Sequence, residues 1–91
     1  MLYAGVKVAP GAVVRDAVVM GGTVIKSGAV VEHCIVGENA VIGENAVIGA
    51  VKEGEAQGVA TIGPGVYIGD GARIGSNAMV RENVKDGDEQ W

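Results

Sequence analysis

Val8–Val24, VAPGAVVRDAVVMGGTV, and the seventeen residues after it, Ile25–Val41, IKSGAVVEHCIVGENAV, are two copies of one unit laid end to end. Aliphatic residues occupy matching places in both copies, and each contains one shortened interval at the same point. Extended both ways, the unit resolves into a six-residue ruler: Leu2, Val8, Val14, Val19, Ile25, Val31, Val36, Ile42, Ile48, Ile62, Ile68, Ile74 and Val80. The spacing is six, except for fives after Val14 and Val31 and a gap of fourteen after Ile48. A direct repeat of this kind folds by stacking copies of itself.

Each tick of the ruler carries further demands. Four residues beyond it stand Val6, Ala12, Ala17, Thr23, Ala29, Cys34, Ala40, Ala46, Val66, Ala72, Ala78 and Val84, all small or β-branched. Two residues is the strand period, so the small residue and the next tick share a side. Just before the small residue comes Gly5, Gly11, Gly22, Gly28, Asn39, Asn45, Gly65, Gly71, Asn77 or Asn83. Gly and Asn are the residues that tolerate a left-handed backbone in a tight turn. The two five-residue units are expected to lack that turn position. Short strand, tight turn, short strand describes a flat-sided coil, and three hexads per coil give a triangular prism. The fold class expected is all-β: a parallel β-helix of about four to five triangular coils over residues 1–85, with one inserted loop at 50–61 and a polar tail at 86–91.

A helical fold fails on composition. Sixteen glycines oppose helix, at about 1 kcal/mol each relative to Ala. One cysteine cannot make a disulfide framework, and no stretch is long and apolar enough to span a membrane. The start, MLYAGVKVAP, lacks the apolar run of a secretory signal, so a cytoplasmic location is expected. Net charge −4, with two Tyr, one Trp and no Phe, argues against nucleic acid as a partner.

The residue before each tick points outward. In the early coils these are Val13, Val18, Val24, Val30, Ile35, Val41 and Val47, joined by Met20. Strands apolar on both sides are usually covered on both sides, so these eight are the expected contact surface for another domain or subunit. The competing reading is that valine there only favours strand. Lys7, Arg15 and Lys26 are expected near one another, either as solvated charges or as an anionic effector site shared with a partner domain. The segment Val51–Ala60 suits an exposed loop, read as a tolerated insertion or as a binding element.

Chemistry is scarce. Cys34 falls in a small inward slot and is expected to be buried and inert. His33, the only histidine, is read as a surface or contact residue, since a general base needs an orienting partner and a cleft. Glu38 and Glu44 are expected to stack at one corner of successive coils. No phosphate-binding glycine motif opens a helix, and one histidine cannot supply a three-histidine zinc site. Two threonines, Thr23 and Thr61, cannot make the threonine ladder of an ice-binding prism. No catalytic, cofactor-binding or metal-ligating residue is assigned.

The hexads resemble those of hexapeptide-repeat proteins, and that resemblance implies a left-handed helix, which the usual crossover preference would not give. More specifically, the run GVKV (Gly5–Val8), GAVVRDAVVM (Gly11–Met20), GTVI (Gly22–Ile25) and CIVGENAVIG (Cys34–Gly43) closely resembles the C-terminal β-helix of bacterial glucose-1-phosphate adenylyltransferase. The resemblance covers about residues 2–85, includes both shortened corners and extends to the insertion. It implies a parent enzyme that makes ADP-glucose for glycogen from ATP, with Mg2+, and glucose 1-phosphate on a separate catalytic domain. The β-helix would then serve interdomain packing, homo-oligomer assembly and allosteric control. The catalytic domain's glycine-rich loop and metal-binding aspartates are absent, so no cofactor is expected in this chain. Trimeric hexapeptide acyltransferases share the same prism; that alternative would place acyl-CoA between neighbouring chains, with His33 in an intersubunit cleft.

Overall fold

In a computed structural model, residues 5–50 and 58–90 form a stack of short parallel strands. The first coil holds β1 (Lys7–Val8), β2 (Val13–Arg15) and β3 (Val18–Val19). The second holds β4 (Val24–Ile25), β5 (Val30–Glu32) and β6 (Cys34–Val36), and the third β7 (Val41–Ile42), β8 (Val47–Ala50) and β9 (Ala60–Ile62). The fourth holds β10 (Tyr67–Ile68), β11 (Arg73–Gly75) and β12 (Met79–Val80), and β13 (Glu89–Gln90) follows. Three sheets make the sides of the prism: β1-β4-β7-β10 on face one, β2-β5-β8-β11-β13 on face two, and β3-β6-β9-β12 on face three. The fold is a left-handed parallel β-helix of hexapeptide repeats.

Register follows the ruler. Val8 lies beside Ile25, Ile25 beside Ile42, and Ile42 beside Ile68 on face one. Val14, Val31, Ile48 and Ile74 align likewise on face two, and Val19, Val36, Ile62 and Val80 on face three. Every tick from Val19 to Ile74 is buried, and together they form one core cluster with the alanines of the small slots. Each fully buried Val or Ile contributes roughly 1.5–3 kcal/mol relative to exposure. Thr23, the one hydroxyl in a small slot, is buried and donates to the Gly37 carbonyl at 2.8 Å. The core ends at the first coil, where Val14 is half-buried and Val8 is 41% exposed. Their strands have a partner on one side only, so one coil covers them instead of two. Leu2 lies outside the described residues.

Nine of the ten expected turn residues have left-handed φ, between 56° and 83°. Asn83 does not; its Oδ1 accepts a hydrogen bond from the Tyr67 amide at 2.9 Å instead. The shortened corners also differ from expectation. Their left-handed residue is kept, as Asp16 and His33, each at φ 47°. What has gone is a residue ahead of the turn, because the chain cannot change direction without the turn itself.

Two boundaries shift. The expected loop at 50–61 gives up its ends to strand, since β8 runs to Ala50 and β9 begins at Ala60; residues 51–57 lie outside the described set. Within the polar tail, β13 pairs with β11, placing Glu89 beside Arg73 and Gln90 beside Ile74. Glu38 and Glu44 do not stack, because they sit at two corners of the same coil, before and after β7. The stacked carboxylates are Glu44, Asp70 and Asp86. There the Glu44 amide donates to Asp70 Oδ1 and the Asp70 amide to Asp86 Oδ1, each at 2.9 Å.

Candidate functional site

The strand period decides which side chains leave the core. Val18, Ile35, Thr61 and Met79 form the outward column of face three, while Val13, Val30, Val47, Arg73 and Glu89 form that of face two. On face one the column reads Lys7, Val24, Val41 and Tyr67. Seven of the eight expected contact residues therefore project outward, and the eighth, Met20, follows β3 at the edge of face three. All but one of the eight are half-buried by the residues above and below them, and Ile35 is 39% exposed. Met79 is absent from the expected set and is the most exposed large apolar side chain described, at 64%. It precedes the tick Val80 as Val18 precedes Val19, so the ruler itself marks it.

Face three is also dented. Met20, Ile35, Thr61, Ile62 and Pro64 line a shallow cavity of about 440 Å³ floored by Gly37 and Gly63, with Glu38 at its rim. A second cavity of about 290 Å³ lies at the C-terminal end among Met79, Arg81, Glu82, Asn83 and Gln90. Neither is lined by His33.

His33 stands at the corner between β5 and β6, above Asp16 in the coil before. Its Nε2 lies 3.8 Å from Asp16 Oδ2, beyond hydrogen-bond range, with the imidazole 38% and the carboxylate 75% exposed. An ion pair in this much solvent orients the ring only weakly. The His33 backbone is more firmly held, its amide donating to Arg15 O and its carbonyl accepting from Ala60 N, both at 3.2 Å. Cys34, next in sequence, points into the core, and burial pushes its thiol up to about 12. The thiol is thus uncharged at neutral pH and cannot act as a nucleophile.

The three cations are divided between faces. Lys7 lies on β1 and Lys26 just after β4, both on face one, whereas Arg15 ends β2 on face two. Lys26 Nζ sits 5.7 Å from the centre of the Tyr67 ring, within cation–π range. Among the described residues no cluster of three His, Cys, Asp or Glu side chains could hold a metal ion, and no helix is long and apolar enough to cross a membrane.

Comparison with known proteins gives two findings. The model of the family described as GlmU-like, C-terminal hexapeptide matches residues 1–68. Among solved structures, the acetyltransferase domain of PglB from Neisseria gonorrhoeae FA1090 superposes with a TM-score of 0.56 at 21% identity, covering 98% of this chain and 52% of that one. At that identity the likeness is one of fold, and this chain spans about half the length of its neighbour. No curated protein matches.

Proposed function

The chain belongs to the GlmU-like C-terminal hexapeptide family, and from that premise we propose that it is a non-catalytic assembly module of a glucose-1-phosphate adenylyltransferase. In this role it packs against a nucleotidyltransferase domain and against other subunits. The observation that carries the reading is the outward apolar columns. A prism that met only water would gain nothing from Val13, Val30 and Val47 on one side and Val18, Ile35 and Met79 on another. The sequence run from Gly5 to Gly43 supports the choice of parent enzyme. Control of that enzyme by effectors, and its cytoplasmic location, belong to the same reading.

The acetyltransferase neighbour favours a second reading, acyl transfer, more than it favours adenylyl transfer. His33 is the residue that would serve as base there, taking a proton from the acceptor hydroxyl or amine. Its weak contact with Asp16 and its distance from both cavities mean that a second chain would have to complete such a site. Calorimetric titration of the 91-residue chain with ATP, glucose 1-phosphate and acetyl-CoA separates the two. No heat with any of the three is expected. Binding of ATP or glucose 1-phosphate to this chain alone would overturn the non-catalytic assignment. Binding of acetyl-CoA, with acetyl transfer abolished by His33→Ala, would replace the first reading by the second.

A further inference from the structure

We propose that the outer edge of β12 takes up an extended peptide segment of a partner protein, which pairs in parallel as a fifth strand of face three. The site is separate from the outward apolar columns that carry the assembly reading. Strand count marks the place. Beyond the fourth coil, Val84 bridges to Ile68 on face one and β13 pairs with β11 on face two. On face three β12 pairs with β9 alone, so among the described residues its other edge has no strand beside it.

That edge has a definite chemistry. On face three the residues before and after each tick donate their amides to the next coil: Met20 N to Val36 O, Gly37 N to Ile62 O, Thr61 N to Ala78 O and Gly63 N to Val80 O, at 2.8–3.0 Å. The corresponding amides in β12 are those of Met79 and Arg81. They stand two residues apart on a strand, roughly 6.6 Å, which is wider than a single phosphate or carboxylate spans. An extended backbone presents carbonyls at that same interval, and pairing with one is how sheet edges bind peptides. The added chain, about 4.8 Å beyond β12, lies in the cavity of about 290 Å³ bounded by Val80, Val84 and Gln90.

Register then sets the side chains of the peptide. Thr61 pairs with Met79 and Ile62 with Val80, so a segment continuing that ladder puts one residue over Met79, the next over Val80 and a third over Arg81. The residue over Val80 points inward and must be aliphatic, to continue the column Val19, Val36, Ile62 and Val80. Its predecessor faces solvent beside Met79, itself 64% exposed. Arg81 selects the third. Its guanidinium is held at this edge by the Met79 sulfur at 3.2 Å, a weak acceptor that a carboxylate displaces. No carboxylate of the described residues forms an ion pair with it. The favoured segment is therefore extended, with an aliphatic residue followed directly by an acidic one.

The test is a nuclear magnetic resonance titration of the nitrogen-15-labelled 91-residue chain with the synthetic peptide Ac-VATIEP-NH2. The peptide repeats Val59–Pro64, the β9 strand, with Gly63 replaced by Glu. Saturable shifts of the Met79 and Arg81 amides are expected, with a Kd on the order of 1 mM, because two ladder bonds, one aliphatic side chain and one ion pair must offset the cost of fixing the peptide. Ac-VATDEP-NH2, which would bury a carboxylate beside Val80, should not bind. Ac-VATIKP-NH2 should bind about threefold more weakly, and Arg81→Glu should reverse that preference. Position 81 is exposed, so circular dichroism of this variant should match the wild type. No saturable shift at Met79 and Arg81 up to about 10 mM peptide, shifts confined to other parts of the prism, or equal binding of Ac-VATDEP-NH2 overturns the strand site. An unchanged preference in Arg81→Glu overturns the acidic requirement. All of these results leave the assembly reading standing.

Discussion

Replacing Ile42 by alanine tests the stack at its centre. Ile42 is fully buried on face one, beside Ile25 in the coil before and Ile68 in the coil after. The substitution removes three carbons, roughly 2 kcal/mol of transfer free energy at about 0.8 kcal/mol each. The space left cannot close, because hydrogen bonds on both sides fix the coil spacing. Lys26 N donates to Ile42 O at 3.0 Å and Gly43 N to Ile68 O at 2.8 Å. A residual cavity of roughly 75 Å³ adds about 1.8 kcal/mol at about 24 cal/mol per Å³. The total, about 4 kcal/mol, is a large share of the roughly 5–14 kcal/mol that holds a chain of this size folded. Urea denaturation followed by circular dichroism should show the midpoint falling by about 2–3 M for an m-value near 1.5 kcal/mol/M. Val8→Ala is the internal control, since the same column position at the exposed end of the stack should cost less than about 1 kcal/mol. Equal losses at Ile42 and Val8, or an Ile42→Ala loss under about 1 kcal/mol, would refute a core built by stacking ticks.

Burial raises the Cys34 thiol to about 12 in the folded chain, above its unfolded value near 9. The folded state then holds a proton that the unfolded state releases, so stability is unaffected below pH 9 and falls by about 1.4 kcal/mol per pH unit from 9 towards 12. Cys34→Ala should remove that slope from denaturation curves taken at stepped pH; a slope that persists would mean another group causes it. Gly49 and Gly65 should part company on substitution by alanine. Both have left-handed φ, 92° and 71°, but a Cβ at Gly49 would collide with the Glu32 carbonyl oxygen while one at Gly65 meets nothing within 4 Å. Gly65→Ala should cost about 1–2 kcal/mol from backbone strain alone, and Gly49→Ala clearly more; equal melting shifts would contradict the close approach of the second and third coils.

The core is legible in the sequence because two residue types at fixed intervals carry it. Aliphatic ticks and small slots determine which side of each strand is inward, and a slip of one residue would reverse every side chain. Legibility fails where one residue does two jobs. Asp16 and His33 look like the flanks of a missing turn because neither is Gly or Asn, yet a left-handed φ is tolerated by a single polar residue when the coils on either side hold it. Asn83 has the right residue type and the wrong conformation, because its amide side chain finds the Tyr67 amide instead. The joining of β13 to face two cannot be read from Glu89 and Gln90, which have little intrinsic strand preference. Their pairing depends on the edge that β11 presents, which is a tertiary fact. Separation of Arg15 from Lys7 and Lys26 is of the same kind: closeness along the chain becomes placement on different faces of the prism.

The exceptions to the ruler also share a location. Both shortened units and the fourteen-residue gap after Ile48 fall at the one corner where face two turns into face three. Ladder bonds from His33 N to Arg15 O and from Ala60 N to His33 O are 3.2 Å there, against 2.8–3.1 Å for the coil-to-coil bonds at the other two corners. The other corners keep six-residue units and vertical contact: Asn45 N on Ser27 O and Gly71 N on Glu44 O at one, Asn39 N on Gly21 O and Gly65 N on Glu38 O at the other. At this corner, although coil-to-coil bonds are kept, the unit length varies from five residues to fourteen. Its side chains are free to be chosen for something other than stacking, and they border face three. His33 and Asp16 thus lie at the rim of the surface that the outward columns mark for contact. Any partner seated on face three meets them first.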